Sequence, residues 1–189
     1  MSAAYWITGD TREVMAALPA GSVDLVLTSP PFLALRSYLP SDHPDKHREI
    51  GSEPTPGAFI DTLLDLTEQW ARLLAPHGSL CVELGDTYSG SGGGGGDYLE
   101  GGMREGQQQF AGSAATMRES NAAHWRQKNA AKEAWPLAKS LCLIPELYRV
   151  ALVYGLNPLT GRTVDRWRAR NVVRWVRPNP PVGALGDKF

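Results

Sequence analysis

The stretch GDTREVMAALPAGSVDLVLTSPPF, residues 9–32, is the part of the sequence from which the fold is predicted. Apolar residues at helical spacing follow Asp10 and Thr11, the two candidate N-caps, and Pro19 and Gly21 end that pattern. The next run, VDLVLT, has apolar residues on both faces, which is typical of a strand buried between helices. Because the short apolar run YWIT comes first, the stretch predicts a strand, a helix and a second strand.

The middle of the chain continues the alternation of helices and strands. After a polar, proline-broken loop, Thr55 and Pro56 mark the start of a helix as N-cap and first helical residue. Pro76, His77 and Gly78 end it, and SLCVELGD then predicts a second buried strand. The apolar positions that predict the buried face of this helix, at steps of three and four, are Phe59, Leu63, Leu66, Trp70 and Leu73.

The last third of the chain predicts a helix and a hairpin. KSLCLIPELYRVALVYGL contains a helix that starts at Pro145 and ends at Gly155. NPLTGRTVDRWRARNVVRWVRPNPP then predicts a turn at residues 157–161 and a strand through NVVRWV. The fold class is therefore α/β, with a mixed sheet and a C-terminal antiparallel hairpin.

Residues 89–135 differ from the rest in composition. The segment begins SGSGGGGGDYLEGG and has too little apolar content to pack a core. We therefore expect one domain over residues 1–189 with a flexible low-complexity insert at 89–135. Such a long insert is either a functional lid or simply disordered.

Composition narrows the class of protein. Cys81 and Cys142 lie in apolar runs without His or Cys at metal-ligand spacing, which predicts reduced core thiols in a cytoplasmic protein and no metal site. No apolar run reaches the roughly 20 residues of a membrane helix, and the N-terminus has no signal-peptide pattern. Residues 162–189 hold six arginines and one lysine against two aspartates, a charge of +5 within a total of −1. This basic end indicates either contact with a polyanion or a solvated arginine-rich strand.

Three polar signals follow predicted strands, where ligands gather in open α/β sheets. They are Gly9-Asp10-Thr11, the residues Thr28 to Phe32, and Gly85-Asp86-Thr87. Taken singly, each aspartate is more often an N-cap or turn residue, but together they predict a site at one rim. Within it the diproline segment, Ser29–Phe32, is stiff, and it offers a hydroxyl, free carbonyl oxygens and an aromatic face. These groups suit an exocyclic amine on a flat ring, which would donate to the oxygens and stack on the aromatic ring.

The chain resembles the β-type amino-methylating DNA methyltransferases, whose catalytic tetrapeptide is Ser or Asp, Pro, Pro, then Tyr or Phe. The segments that carry the resemblance are GDTREVMAALPAGSVDLVLTSPPF, LCVELGDTYSGSGG, KSLCLIPELYRVAL and RNVVRWVRPNP, in that family's order. The resemblance implies a partial Rossmann-like methyltransferase domain. It also implies transfer of a methyl group from S-adenosylmethionine to a base flipped out of double-stranded DNA, as in restriction–modification.

Carried over by position, the resemblance implies that Ser29, Pro30, Pro31 and Phe32 hold the target base. It places Asp10 near the cofactor's adenosine, with Asp86 supporting the same rim. Members with Ser at the first tetrapeptide position act mostly on cytosine N4, so cytosine is favoured over adenine N6. No cysteine nucleophile of the ring-carbon methylating type is present.

Arginines near the C-terminus complete the set of candidate residues. Arg166, Arg168 and Arg170 step by two, so an extended strand would point them to one side, where DNA phosphates could be met. The alternative is an exposed hairpin face.

The family pattern extends beyond what this sequence contains. Members continue into a target-recognition region and a glycine-rich cofactor segment, which we expect to be supplied by the missing C-terminal half, either on a longer chain or as a separate one. The alternative is a degenerate, non-catalytic DNA-binding module. An RNA or protein amine methyltransferase is a third reading. By itself, we expect this chain to bind S-adenosylmethionine weakly or not at all.

Overall fold

The computed structural model describes residues 4–34, 38–40, 42–89, 134–137 and 139–176. The elements in chain order are α1 (Thr11–Ala17), β1 (Val23–Thr28), a short 3₁₀ helix (Pro44–Arg48), α2 (Pro56–Leu73), β2 (Leu74–Val82) and α3 (Ile144–Tyr154). The α/β class predicted from the sequence is confirmed in this part of the chain. Most of the predicted insert, residues 90–133, lies outside the described residues.

The described sheet has two strands, and it is parallel rather than mixed. β1 and β2 pair from Val23 opposite Leu74 to Thr28 opposite Val82, with an irregularity after Val23. β2 starts directly where α2 ends, so Pro76, His77 and Gly78, which were predicted to end the helix, lie within the strand instead. The register irregularity admits the extra residues of this proline-containing stretch, which a regular ladder could not include.

Helix α2 organises the core. Thr55 caps it, since its hydroxyl accepts a hydrogen bond from the Ala58 amide at 3.1 Å, and Pro56 is its first residue, as predicted. It contacts α1, α3 and β2. All five positions predicted for its buried face are buried. Ile60 and Leu64 of α2 are buried as well. The buried hydrophobic residues outside α2 come from α1, from the segment after β1 and from the part of the chain between residue 135 and the end of α3, namely Met15, Leu33, Trp135, Cys142, Ile144, Tyr148 and Ala151.

Two predicted strands are not strands. YWIT is not assigned to a strand, and Tyr5 and Trp6 are 86% and 96% exposed. The predicted hairpin is also wrong. Its turn exists, with one antiparallel bridge between Leu156 and Thr163, but residues 168–176 are exposed and belong to no strand. Both segments have strand-forming composition, but a strand requires a hydrogen-bonding neighbour, and the described part of the chain provides none for them.

One face of the sheet is open. Leu25 and Leu27 of β1 are 53% and 75% exposed, and their partners on β2 are Ser79 and Cys81, which are exposed too. The prediction that β1 is buried on both faces is therefore wrong for the described structure, as is the prediction that Cys81 is a core thiol. Cys142 is buried as expected. Among the described helices, none is both long and apolar enough to cross a membrane.

Candidate active site

The diproline segment leaves the sheet at the carboxyl end of β1. The Glu83 amide donates to the Thr28 carbonyl at 2.9 Å, so hydrogen bonding between the two strands continues one residue past the end of β2. Ser29 is exposed, whereas Pro30 is buried and Leu33 is only 1% exposed. The segment is thus fixed at Pro30 and just after its end, whereas its first residue, Ser29, is exposed.

The aromatic ring of the diproline segment lies against Gly85. A Cβ atom added at Gly85 would be 2.6 Å from Cε2 and 2.7 Å from Cδ2 of Phe32. Since carbon atoms normally approach to about 3.5–4.0 Å, only glycine leaves room for this ring position. The contact brings the two segments that follow β1 and β2 together, as the sequence predicted.

A second glycine lies behind the diproline segment. Gly51 has φ +90°, and a Cβ there would be 2.8 Å from the Phe32 carbonyl oxygen and 3.3 Å from Cβ of Pro31. Its own carbonyl accepts a hydrogen bond from the Ala34 amide at 2.8 Å. Residues 48–53, which we call the brace loop, therefore support the diproline segment on this side. The sequence of this region predicts only a polar loop.

Asp10 has a structural role. It caps α1, with Oδ1 accepting a hydrogen bond from the Arg12 amide at 2.9 Å, and Oδ2 forms an ion pair with Arg48 at 2.9 Å. Hydrogen bonding to Glu13 and the charge of Asp10 raise the pKa of Arg48. Arg48 begins the brace loop, so Asp10 is linked to the diproline segment through that loop rather than by direct contact.

Asp86 follows Gly85 and also has a structural role. Its Oδ1 accepts from the Thr87 amide at 2.8 Å and from the Ile144 amide at 3.1 Å, and Oδ2 accepts from the Leu143 amide at 2.9 Å. The carboxylate thus satisfies amides at the start of α3, which otherwise have no partner within the helix. Asp10 and Asp86 thus both have the N-cap or turn role that the sequence predicts as the alternative to a role in a site.

The three candidate DNA-binding arginines lie on a segment without regular secondary structure. Arg166, Arg168 and Arg170 are exposed, whereas Trp167 is half-buried and its amide donates to the Leu152 carbonyl at 2.8 Å. The aliphatic part of Arg166 lies over Gly155. Exposure alternates at residues 166–168, whereas residues 168–170 are all exposed and no strand is formed there. The contact of the three arginines with DNA phosphates stays a prediction.

The chain is similar to Type II methyltransferases. It is 26% identical over 181 residues to "Type II methyltransferase M.SfiI" of Streptomyces fimbriatus, covering 96% of this chain and 32% of the relative. It is 33% identical over 89 residues to M.Cfr9I of Citrobacter freundii and 35% identical over 86 residues to M.SmaI of Serratia marcescens.

The similarity covers only a part of these methyltransferases. The matched region is 28% of M.Cfr9I and 27% of M.SmaI, and 47% and 46% of this chain. No protein-family model matches the chain, and no solved structure matches it significantly. The chain thus spans about a third of the length of M.SfiI and less than a third of the lengths of M.Cfr9I and M.SmaI.

Proposed function

We propose that this chain is the catalytic portion of a site-specific DNA methyltransferase that modifies the exocyclic amine of a flipped base, with cytosine N4 as the target. The observation that carries the proposal is the diproline segment at the end of β1, with Ser29 exposed and Phe32 held against Gly85. The similarity to proteins named Type II methyltransferases supports the reaction class. Adenine N6 is the alternative target.

The chemistry required of this chain is hydrogen-bond acceptance and alignment. The amine lone pair of a nucleobase is delocalised into the ring, so the nitrogen is a poor nucleophile until its N–H groups are drawn out of the ring plane. The Ser29 hydroxyl and the Pro30 carbonyl are the acceptors we assign to these N–H groups, with Phe32 stacked on the base. Positioning of this kind lowers a barrier by on the order of 7–11 kcal/mol.

S-adenosylmethionine supplies the methyl group and a sulfonium leaving group when it is bound. Asp10 fits a role toward its ribose or adenine because each carboxylate oxygen has two lone pairs. Oδ1 accepts one hydrogen bond, from the Arg12 amide, and Oδ2 pairs with Arg48 at 2.9 Å and with the Arg12 guanidinium only at 4.0 Å. Asp86 fits less well, since Oδ1 already accepts two amide hydrogen bonds. We therefore propose Asp10 as the main cofactor contact on this chain and Asp86 as support for the rim.

In this proposal the site is completed by additional polypeptide that this sequence does not contain. The open face of the sheet, with Leu25 and Leu27 exposed, is apolar surface of the kind that a neighbouring element covers. We propose that the remaining half of the methyltransferase, on a longer or a separate polypeptide, covers it. Calorimetry on this chain alone should then detect weak or no binding of S-adenosylmethionine, and low-micromolar affinity would contradict the proposal.

The main test is methyl transfer by the completed enzyme. Ser29→Ala and Phe32→Ala should each abolish measurable transfer of a radiolabelled methyl group to DNA while the far-ultraviolet circular dichroism stays unchanged. Ser22→Ala, which removes only a hydroxyl that donates to the Pro19 carbonyl, is the matched control and should retain activity. Full activity in both diproline-segment variants would refute the proposal.

Competition assays separate the remaining readings. A non-catalytic DNA-binding module would bind DNA in a salt-sensitive way that depends on Arg166, Arg168 and Arg170 and ignores Ser29. In the proposed enzyme these arginines contact phosphates, so replacing them should weaken binding without changing the modified base. An RNA or protein amine methyltransferase would be inhibited by RNA or protein and not by duplex DNA.

A further inference from the structure

Glu53 is a half-buried carboxylate beside the diproline segment that the proposed chemistry does not use. Its Oε2 accepts a hydrogen bond from the Gly51 amide at 2.9 Å. Burial raises its pKa, although its own amide, the Thr62 side chain, the Gly51 amide and the charge of Arg12 all favour the ionised form. A carboxylate that is desolvated in this way costs free energy, so its position calls for a physical reason.

The partner of Glu53 is the residue that touches the diproline segment. Gly51 lies closer to the Phe32 carbonyl and to Pro31 than any residue with a Cβ could. Its carbonyl also holds the Ala34 amide at 2.8 Å, just after the segment ends. Gly51 has φ +90°. Because glycine has no side chain to restrict its backbone, it can readily leave this conformation. The hydrogen bond to Glu53, two residues later, restrains the Gly51 amide group.

We propose that Glu53 is a positioning residue for the base-holding diproline segment, acting through Gly51. The carboxylate fixes the Gly51 amide, and Gly51 in turn fixes Pro31, Phe32 and Ala34. Glu53 itself touches neither base nor cofactor. This inference rests on the proposed function for its catalytic consequence, whereas its structural part can be measured on the chain alone.

The structural part is tested by fluorine NMR. The chain has four phenylalanines, so 4-fluorophenylalanine labelling gives few resonances, and Phe32→Leu assigns the one at residue 32. Glu53→Ala should shift or broaden the Phe32 resonance and leave that of Phe59, in the core, unchanged. Glu53→Gln keeps a side-chain oxygen that can accept from Gly51 and should restore the wild-type resonance.

Glu83→Ala is the matched control, because Glu83 is an exposed carboxylate on the other flank of the segment. It should leave the Phe32 resonance in place. A Phe32 resonance that is unchanged in Glu53→Ala, or that moves equally in Glu83→Ala, would overturn the proposal, as would a Glu53→Gln spectrum identical to that of Glu53→Ala.

The catalytic part is tested in the completed methyltransferase. Because a misplacement of about 1 Å can cost about 100-fold in rate, Glu53→Ala should lower kcat by about 10- to 100-fold. The KM for S-adenosylmethionine should change less than about threefold, and Glu53→Gln should recover most of kcat. An unchanged kcat in Glu53→Ala, with an active wild type, overturns the proposal. If the wild type transfers no methyl group at all, the proposed function fails, and the NMR result alone decides whether Glu53 positions the segment.

Discussion

The contact between Gly85 and Phe32 predicts a large effect from a single added methyl group. In Gly85→Ala the new Cβ would be 2.6 Å and 2.7 Å from two ring carbons, so the ring or the backbone must retreat by about 1 Å to reach normal separation. Overpacking of this kind costs typically about 1–3 kcal/mol. Since Phe32 is half-buried and part of its ring can move toward solvent, we expect about 1–2 kcal/mol.

The same substitution should behave differently when the ring is absent. Gly85 is not among the glycines with positive φ, so alanine is compatible with its backbone. In a Phe32→Ala background Gly85→Ala should therefore be neutral or stabilise by about 0.4–1 kcal/mol, because alanine reduces the conformational freedom of the unfolded chain. The double-mutant cycle should thus give a coupling free energy of about 1.5–3 kcal/mol.

The assay is urea denaturation followed by tryptophan fluorescence for the four proteins of the cycle. With a typical slope near 2 kcal/mol per molar urea, Gly85→Ala alone should lower the midpoint by about 0.5–1 M without changing the slope. In the completed methyltransferase that we propose, it should also lower kcat by about 100-fold. An equal midpoint change in both backgrounds would refute the reasoning, because the cost would then have nothing to do with the ring.

Three further outcomes follow from other parts of the structure. Burial raises the pKa of Tyr148 to about 12, so the stability that depends on its neutral phenol is complete below pH 10 and is lost as the pH rises through about 12. An ultraviolet titration should show a tyrosine that ionises at this high pH, and Tyr148→Phe should remove that signal. The rise in the pKa of Tyr148 corresponds to about 3 kcal/mol of unfolding free energy that is lost when the phenol ionises. Asp86→Ala should cost about 1–2 kcal/mol in urea denaturation by exposing unpaired amides at the start of α3, whereas an exposed aspartate, Asp165, replaced in the same way should cost under about 0.5 kcal/mol. Asn157 is fully buried and donates to the Gly57 carbonyl and to Asp61, so Asn157→Ala should cost about 1–3 kcal/mol, and a midpoint equal to that of the wild type would contradict this.

Local patterns predicted the helices well because the required information lies within a few residues. The steps of three and four in α2 identify its buried face from Phe59 to Leu73. Thr55 and Pro56 mark its start, and Gly155, with φ +76°, ends α3 as expected. These choices depend on spacing and on backbone conformation, both of which can be read from the sequence.

Strands were predicted less well because pairing is a property of two segments. VDLVLT forms β1 next to β2, but YWIT and NVVRWV, which have similar composition, form no strand in the described part of the chain. Composition indicates which segments can pair and does not indicate whether a neighbour is present. The exposure of Cys81 has the same origin, since it follows from the open face of the sheet.

The candidate site was predicted in part. TSPPF was identifiable because two prolines at a strand end have few structural explanations, and Asp86 was placed at the same rim. The brace loop was not found. Gly51 and Glu53 lie in a polar stretch whose composition is that of any loop, and only the close approach of Gly51 to Phe32 in three dimensions gives them a role. No local signal distinguishes a glycine that permits a turn from one that permits a tertiary contact.

The construction of the diproline segment determines which mutations should affect rate and which should affect folding. Two prolines reduce the conformational freedom of the unfolded chain, and the burial of Pro30 and Leu33 fixes both sides of the segment. Ser29 is exposed and contributes little to that packing, so its loss should alter methyl transfer far more than stability. Gly51 and Gly85 support the segment from two sides, so substitutions there should displace the groups that we propose to hold the base and lower both stability and rate. A set of variants in which the loss of rate tracked the loss of stability equally at Ser29 and at Gly85 would show that the segment is a packing element rather than a preformed binding surface.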